Sequence, residues 1–137
     1  MFNKSISLQN LNDFGVNNMA GFLGIEFTEI GSDFLKAKMP VTDRTRQPFG
    51  VLHGGASVAF AETLGSVASF LCLENPEKQR AVGLEINANH LRPVSEGWVF
   101  GIVESVHLGK KTHIWEIKIV DSNNKPVCVS RITIMVV

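Results

Sequence analysis

The chain has 137 residues, 45% of them hydrophobic and 19% charged, with thirteen Lys and Arg against thirteen Asp and Glu. That length suits one domain with a core of its own. Zero net charge gives no general attraction to nucleic acid or to an anionic membrane. The two cysteines, Cys72 and Cys128, are too few for a disulfide framework and lack metal-ligand spacing, so two buried, reduced thiols in a cytoplasmic protein are expected.

The opening residues, MFNKSISLQNLNDF, show no apolar run or cleavage site of a secretory signal. Leu8, Leu11 and Phe14 recur every three residues, which predicts a short amphipathic helix over 5–14. A second helical turn is expected over 17–23, ended near Gly24. Ile25 and Phe27 then alternate with Glu26 and Thr28, and Leu35, Ala37 and Met39 with Lys36 and Lys38. These read as two strands joined through Gly31-Ser32-Asp33 into an antiparallel hairpin, the second stopped by Pro40.

A long polar loop, Val41 to Leu52, delivers the chain to His53-Gly54-Gly55 and then to GGASVAFAETLGSVASFLCL, residues 54–73. This stretch is apolar or small throughout and carries one charge, Glu62. A helix of that kind is buried on almost every side, and Glu74-Asn75-Pro76 stops it. Its length alone would allow a membrane span, but the cost of placing Glu62 in lipid argues against one. From Ala81 on, strands are expected at 81–93, 98–108, 113–120 and 127–137, separated by Ser95-Glu96-Gly97, Gly109-Lys110-Lys111 and Ser122-Asn123-Asn124-Lys125. The sum is an α+β domain, a long central helix wrapped by a curved antiparallel sheet of about six strands. Such a sheet cannot close over the helix alone, so a homo-oligomer is expected.

A carboxylate in an apolar helix is costly unless something pairs with it or uses it, and no basic residue lies on the helix to pair with Glu62. Gly55, Glu62, Ser66 and Ser69 fall on one helical stripe, with Ser66 one turn beyond Glu62. The serines serve equally well as small residues for close helix-to-strand packing. At the other end, His53-Gly54-Gly55 places unpaired backbone N–H groups and the positive end of the helix dipole where an oxyanion could sit, with the side-chain amide of Gln47 nearby in sequence. Gly54 and Glu62 are eight residues apart, or about 12 Å along a helix. A nucleophile and an oxyanion donor must each lie within about 3 Å of the atoms they act on. Acting on one carbonyl, they would have to come from two subunits.

RTRQPFGVLHGGASVAFAETLGS, VGLEINANHLRP and VHLGKKTHIWEIKI together resemble the hotdog-fold acyl-CoA thioesterases over essentially the whole chain. Within that family they are most similar to the branch that acts on 1,4-dihydroxy-2-naphthoyl-CoA in menaquinone biosynthesis and proofreads enterobactin synthesis. The resemblance implies hydrolysis of an acyl-CoA thioester, with an aromatic acyl group expected. Glu62 would be nucleophile or general base, the Gly54 N–H the carbonyl donor, His53 and Gln47 the groups that orient and polarise the substrate, and Ser66 the hydroxyl that places water or carboxylate. Coenzyme A would be held by Gly83, by His90, Leu91 and Arg92, and by His107, Leu108, Gly109, Lys110 and Lys111, the cations suiting its phosphates. The acyl pocket is expected from residues such as Phe14, Met19 and Phe22, and His113 is read as a sheet residue.

The resemblance also implies a dimer of dimers with the site across an interface, and neither metal nor redox cofactor. An acyl or aryl carrier protein in place of coenzyme A, and a non-catalytic acyl-CoA binder on the same fold, are the competing readings. A pure binder gains nothing from a carboxylate buried beside a thioester, which counts against the second.

Overall fold

The computed structural model describes residues 1–137. Two short helices lead the chain, α1 (Leu8–Phe14) and α2 (Met19–Phe22), followed by β1 (Glu26–Ile30) and β2 (Phe34–Pro40). After the loop comes α3 (Gly54–Leu71), and then β3 (Ala81–His90), β4 (Trp98–Leu108), β5 (Thr112–Val120) and β6 (Pro126–Val136). All expected elements are present, with several boundaries moved by one to three residues: the first helix begins at Leu8 and the second is Met19–Phe22. The third strand stops at His90, three residues before Pro93. The long helix stops at Leu71, with Cys72 as its cap.

The six strands form one antiparallel sheet in the order β1-β2-β4-β5-β6-β3. The third strand therefore lies at the far edge, bonded only to β6. Alternation puts Leu35, Ala37 and Met39 of β2, Val99 and Val103 of β4, Trp115, Ile117 and Ile119 of β5, and Ile132 and Ile134 of β6 on the face that meets α3, and all are buried. Each such side chain contributes roughly 1.5–3 kcal/mol when fully withdrawn from water.

The helix answers with Ala56, Phe60, Ala61, Leu64, Gly65 and Ala68. Two glycines set how close it lies. A Cβ on Gly65 would sit 2.5 Å from Ile132 Cγ2, and one on Gly101 of β4 would sit 2.6 Å from Leu64 Cδ1 and 3.0 Å from Phe60 Cζ. No side chain fits between the layers at either point.

The expectation of a helix buried on almost every side needs correcting. The face of α3 turned from the sheet, with Val58, Ala59, Glu62, Thr63, Ser66, Val67 and Phe70, is only half-buried. The N-terminal helices cover it in part, Phe14 meeting Phe70 edge-on at 6.2 Å. Ser7 caps α1 by accepting from the Asn10 N–H at 3.1 Å, as its position before an apolar-periodic run suits. Both cysteines are free, but only Cys128 is fully buried. Cys72 is half-buried, and burial pushes its thiol up to about 11. No helix is long and apolar enough to cross a membrane.

Gly65→Val should destabilise the fold by at least about 1–3 kcal/mol, because a branched side chain is forced into the Ile132 contact. Urea unfolding followed by Trp115 fluorescence measures it, and an unchanged midpoint would show that the layers have slack.

Candidate active site

The helix start is built by the loop that precedes it. Thr45, almost fully buried, accepts the Thr42 N–H and donates to the Pro40 carbonyl, both at 2.9 Å, while its own carbonyl takes the His53 N–H at 2.7 Å. Leu52 N–H reaches the Val94 carbonyl at 2.7 Å. The chain therefore enters α3 at a fixed angle.

His53 is the N-cap, its Nδ1 accepting from the Gly55 N–H at 2.7 Å. Ala56 and Ser57 N–H groups both turn back to the His53 carbonyl at 3.0 and 3.2 Å. Of the first four N–H groups of α3, the Gly54 N–H alone has no partner, and a Cβ there would lie 2.9 Å from His90 Nε2. A free donor at a helix N-terminus, with no side chain of its own in the way, is a site for a carbonyl oxygen acquiring charge.

Gln47 is held by a tight turn: its N–H donates to Val51 and its carbonyl accepts from Gly50, at 2.8 and 2.9 Å. Gly50, at φ +84°, supplies the left-handed residue the turn needs. The side-chain Oε1 of Gln47 accepts from the Phe49 N–H, which ties the oxygen to the turn and leaves the amide NH₂ free to donate. Gln47, Gly54, Ser57, His90, Leu91 and Arg92 share one chamber of about 370 Å³.

Glu62 faces elsewhere. It lines an apolar chamber of about 620 Å³ with Ser66, Phe14, Met19, Thr63 and Phe70. Its Oε1 would be 2.5 Å from a Cβ on Gly83, so the carboxylate rests against the bare backbone of the edge strand. It joins none of the chain's four salt bridges.

Of the helical stripe, Ser66 stays beside Glu62 but Ser69 does not. Its hydroxyl is fully buried against the sheet, accepting from Trp115 Nε1 at 2.7 Å and contacting His113 Nδ1 at 3.1 Å. Phe22 also leaves the expected pocket, because α2 turns its ring under the Arg44 guanidinium at 4.7 Å.

The expected coenzyme contacts fall in separate places. Gly109, Lys110 and Lys111 border a third cavity of about 500 Å³ with Cys72, Glu74 and His113. The His107 ring folds over this turn, its Nε2 2.9 Å from where a Gly109 Cβ would be, and Leu108 is part-exposed beside it. Ala81 pairs with Val136, next to Lys111, whereas His90 pairs with Cys128. Nine strand residues thus put the two basic groups about 30 Å apart in one chain. Single chains hold the pieces in three chambers.

Thr63, Val67, Phe70 and Asn18 line the Glu62 chamber and were not singled out from the sequence. Thr63, Val67 and Phe70 are four and three residues apart, so they form one helical row beside the one that carries Glu62 and Ser66, a signal that was there to read.

Residues 49–128 match the family model described as the thioesterase superfamily. The chain is 51% identical over 133 residues to a 1,4-dihydroxy-2-naphthoyl-CoA hydrolase of Escherichia coli, covering 97% of this chain and 96% of that protein. It is 46% identical to the proofreading thioesterase EntH of Cronobacter turicensis, with the same coverage of each chain. The crystal structure of a thioesterase variant from Pseudomonas aeruginosa superposes with a TM-score of 0.96 at 44% identity, covering 99% of this chain and 97% of that one.

Gly83→Ala should displace the Glu62 carboxylate and lower the turnover it supports by about tenfold or more, since misplacement of a reacting group by an ångström is costly. Thermal unfolding should move by only a few degrees, and wild-type turnover in this variant would mean that the carboxylate does not need the Gly83 backbone.

Proposed function

The chain belongs to the thioesterase superfamily, and on that premise we propose that it hydrolyses an aromatic acyl-CoA, 1,4-dihydroxy-2-naphthoyl-CoA or a similar aroyl-CoA, to the free acid and coenzyme A. The carrying observation is the unpaired Glu62 carboxylate at an apolar chamber midway along α3, with the unpartnered Gly54 N–H at the start of the same helix. The chemistry and size of the Glu62 chamber suit an aromatic ring, and the name of the Escherichia coli relative points to the same class of acyl group.

In this reading the thioester oxygen lies between the Gly54 N–H and the Gln47 NH₂, with the outward Nε2–H of His53 beside them. Glu62 attacks the carbonyl carbon, or removes a proton from a water that does, and Ser66 holds that oxygen. The negative charge that grows on the carbonyl oxygen is met by donors already aimed at it, which is the largest lever such a site has. The C–S bond then breaks and the sulfur leaves as thiolate. After direct attack the acyl group stays on Glu62 as an anhydride, which water hydrolyses to the free acid and the Glu62 carboxylate; on the general-base route the water's oxygen enters the acid at once. In both, the thiolate takes up the proton that water gives up.

Two copies are needed, and the edge strand supports how they meet. Glu62 rests against Gly83 and Gly54 against His90. A β-bulge between Gly83 and Glu85 resets the alternation, so both Gly83 and His90 oppose inward-facing residues of β6 although they are an odd number apart. Antiparallel pairing of β3 with its copy about a two-fold axis near Asn87 sets Gly83 of one beside His90 of the other. Glu62 of one copy then faces Gly54 and Gln47 of the second. The same operation brings Arg92 of one copy within about 15 Å, three strand spacings, of the Lys110–Lys111 turn of the other. One coenzyme A could then reach Gly83, His90 to Arg92 and His107 to Lys111 together. The dimers would pair further into a tetramer, and the two free thiols suit a cytoplasmic setting.

A second reading follows from the name of the Cronobacter relative: the same residues acting on a carrier-protein thioester as a proofreading enzyme. Steady-state hydrolysis of 1,4-dihydroxy-2-naphthoyl-CoA, benzoyl-CoA, medium-chain acyl-CoAs and an aryl carrier-protein thioester separates the two by kcat/KM. Glu62→Gln should lower kcat by about a thousandfold or more on the preferred substrate, as loss of a nucleophile or base does. Wild-type rates in that variant would overturn the mechanism.

Co-refolding equal amounts of the Glu62→Gln and Gln47→Ala proteins should restore about a quarter of wild-type activity, because half the dimers are mixed and each has one intact site. A mixture no more active than its parents would place the whole site in one chain.

A further inference from the structure

Five polar residues are buried: Thr45, Ser57, Ser69, His113 and Ser130. Four of them are hydrogen-bonded through their side chains. Thr45 donates to Pro40, Ser69 meets Trp115 and His113, and Ser130 donates to the Asn87 carbonyl at 2.8 Å. The Ser57 hydroxyl has no partner in the chain, although the residue is only 2% exposed. Leaving a buried hydroxyl unpaired is costly, and native proteins seldom do so.

A hydroxyl inside a helix commonly bonds back to the carbonyl four residues earlier, as Thr63 does to Ala59 at 2.7 Å. For Ser57 that carbonyl belongs to His53, and it already accepts the Ala56 and Ser57 N–H groups. A carbonyl oxygen has two lone pairs, and here both are taken. No side-chain oxygen or nitrogen that is wholly shut from solvent lacks a partner. The little surface that Ser57 keeps therefore includes its hydroxyl. The space beside it is the chamber shared with Gln47, Gly54, His90 and Arg92.

Its place on the helix decides which part of a thioester the hydroxyl can meet. Ser57 lies three residues beyond Gly54, about 4.5 Å further along the axis. The Gly54 N–H points out of the helix end, so an oxygen bonded to it stands about 3 Å beyond that. Hydroxyl and thioester oxygen are then roughly 6–7 Å apart, too far for a hydrogen bond. Arg92, in the same chamber, is exposed and joins no salt bridge. A thioester held at Gly54 with its phosphates toward Arg92 runs its thiol arm past Ser57. The first polar group on that arm is the amide two carbons beyond the sulfur. An amide offers one donor and one acceptor, and a hydroxyl can answer either.

We propose that Ser57 is a further substrate-binding residue, whose hydroxyl bonds the amide nearest the sulfur in the thiol arm of the thioester. This rests on the coenzyme reading given under Proposed function. It adds a contact that neither the oxyanion donors nor Glu62 supplies.

The test pairs two thioethers that bind without reacting. S-phenacyl-N-acetylcysteamine keeps that one amide, and phenacyl pentyl sulfide has carbon in its place over the same length. In NMR titrations, Ser57→Ala should weaken the amide-bearing compound about five- to tenfold, the size of one hydrogen bond between neutral groups. Binding of the pentyl compound should not change. Alanine suits a helix interior better than serine, so the variant folds, and its thermal midpoint checks this. With benzoyl-CoA the same variant should raise KM about five- to tenfold and keep kcat within about twofold.

Equal weakening of both thioethers, weakening of neither, or a fall in kcat with KM unchanged would each overturn the proposal. So would a wild type that binds neither compound. Failure of the wild type to hydrolyse benzoyl-CoA would refute the thioesterase reading instead, while the two thioethers still test Ser57.

Discussion

The close approach of α3 to the sheet governs the rest of the molecule. Gly65 against Ile132 and Gly101 under Phe60 and Leu64 leave no room for the helix to slide or roll. Ser69 adds a directional tie to Trp115. With the helix fixed, the places of Glu62 against Gly83 and of Gly54 against His90 follow from the 1.5 Å rise per residue. In the proposed site the reacting group and the oxyanion donor share one rigid rod, which gains in fixed geometry what it loses in reach. The helix cannot bend to bring Glu62 and the Gly54 N–H to one carbonyl, and the proposed site therefore takes in a second copy.

Much of the fold was legible because one period dominates each segment. The strand at 113–120 alternates without a break, and the helix start is marked by His53-Gly54-Gly55 after a polar loop. Glu62 was legible as the single charge in an apolar run. What stayed hidden depends on where neighbours lie. Nothing in the local sequence tells that Ser69 is bonded to Trp115 whereas Ser66 opens on a chamber, since both satisfy the same helical spacing. The outer face of α3 looked fully apolar, yet only two short helices cover it. The strand ends at His90 rather than Pro93, with Leu91 N–H still bonded to the Val127 carbonyl at 2.8 Å, a limit set by pairing with a distant segment and not by a local signal.

Gln47 shows a subtler limit. Its sequence position suggests a polar group near the helix start, but an amide can present either end. The choice is made by the turn: the Phe49 N–H takes the oxygen, and the nitrogen is left to face the chamber. A loop residue thereby gains a defined polarity from a backbone contact two residues away. The same logic applies to His53, whose Nδ1 is spent on the Gly55 N–H so that its other nitrogen keeps the proton. In both cases the helix start and its turn select the hydrogen-bonding sense of a side chain before any ligand arrives.

The edge position of β3 has a consequence for how the chain acquires its structure. The strand follows α3 in sequence yet pairs only with β6, so that Ala81 finds Val136 and His90 finds Cys128. Closing so long a loop costs chain entropy before any contact rewards it. During synthesis the hairpin and α3 can begin to associate while β3 waits, unpaired, for the last strand to emerge. The segment that supports both Gly83 and His90 is thus secured at the end of folding. Partly folded chains would hold the Glu62 carboxylate on its helix with nothing opposite it, and the proposed site would be completed only with the final strand.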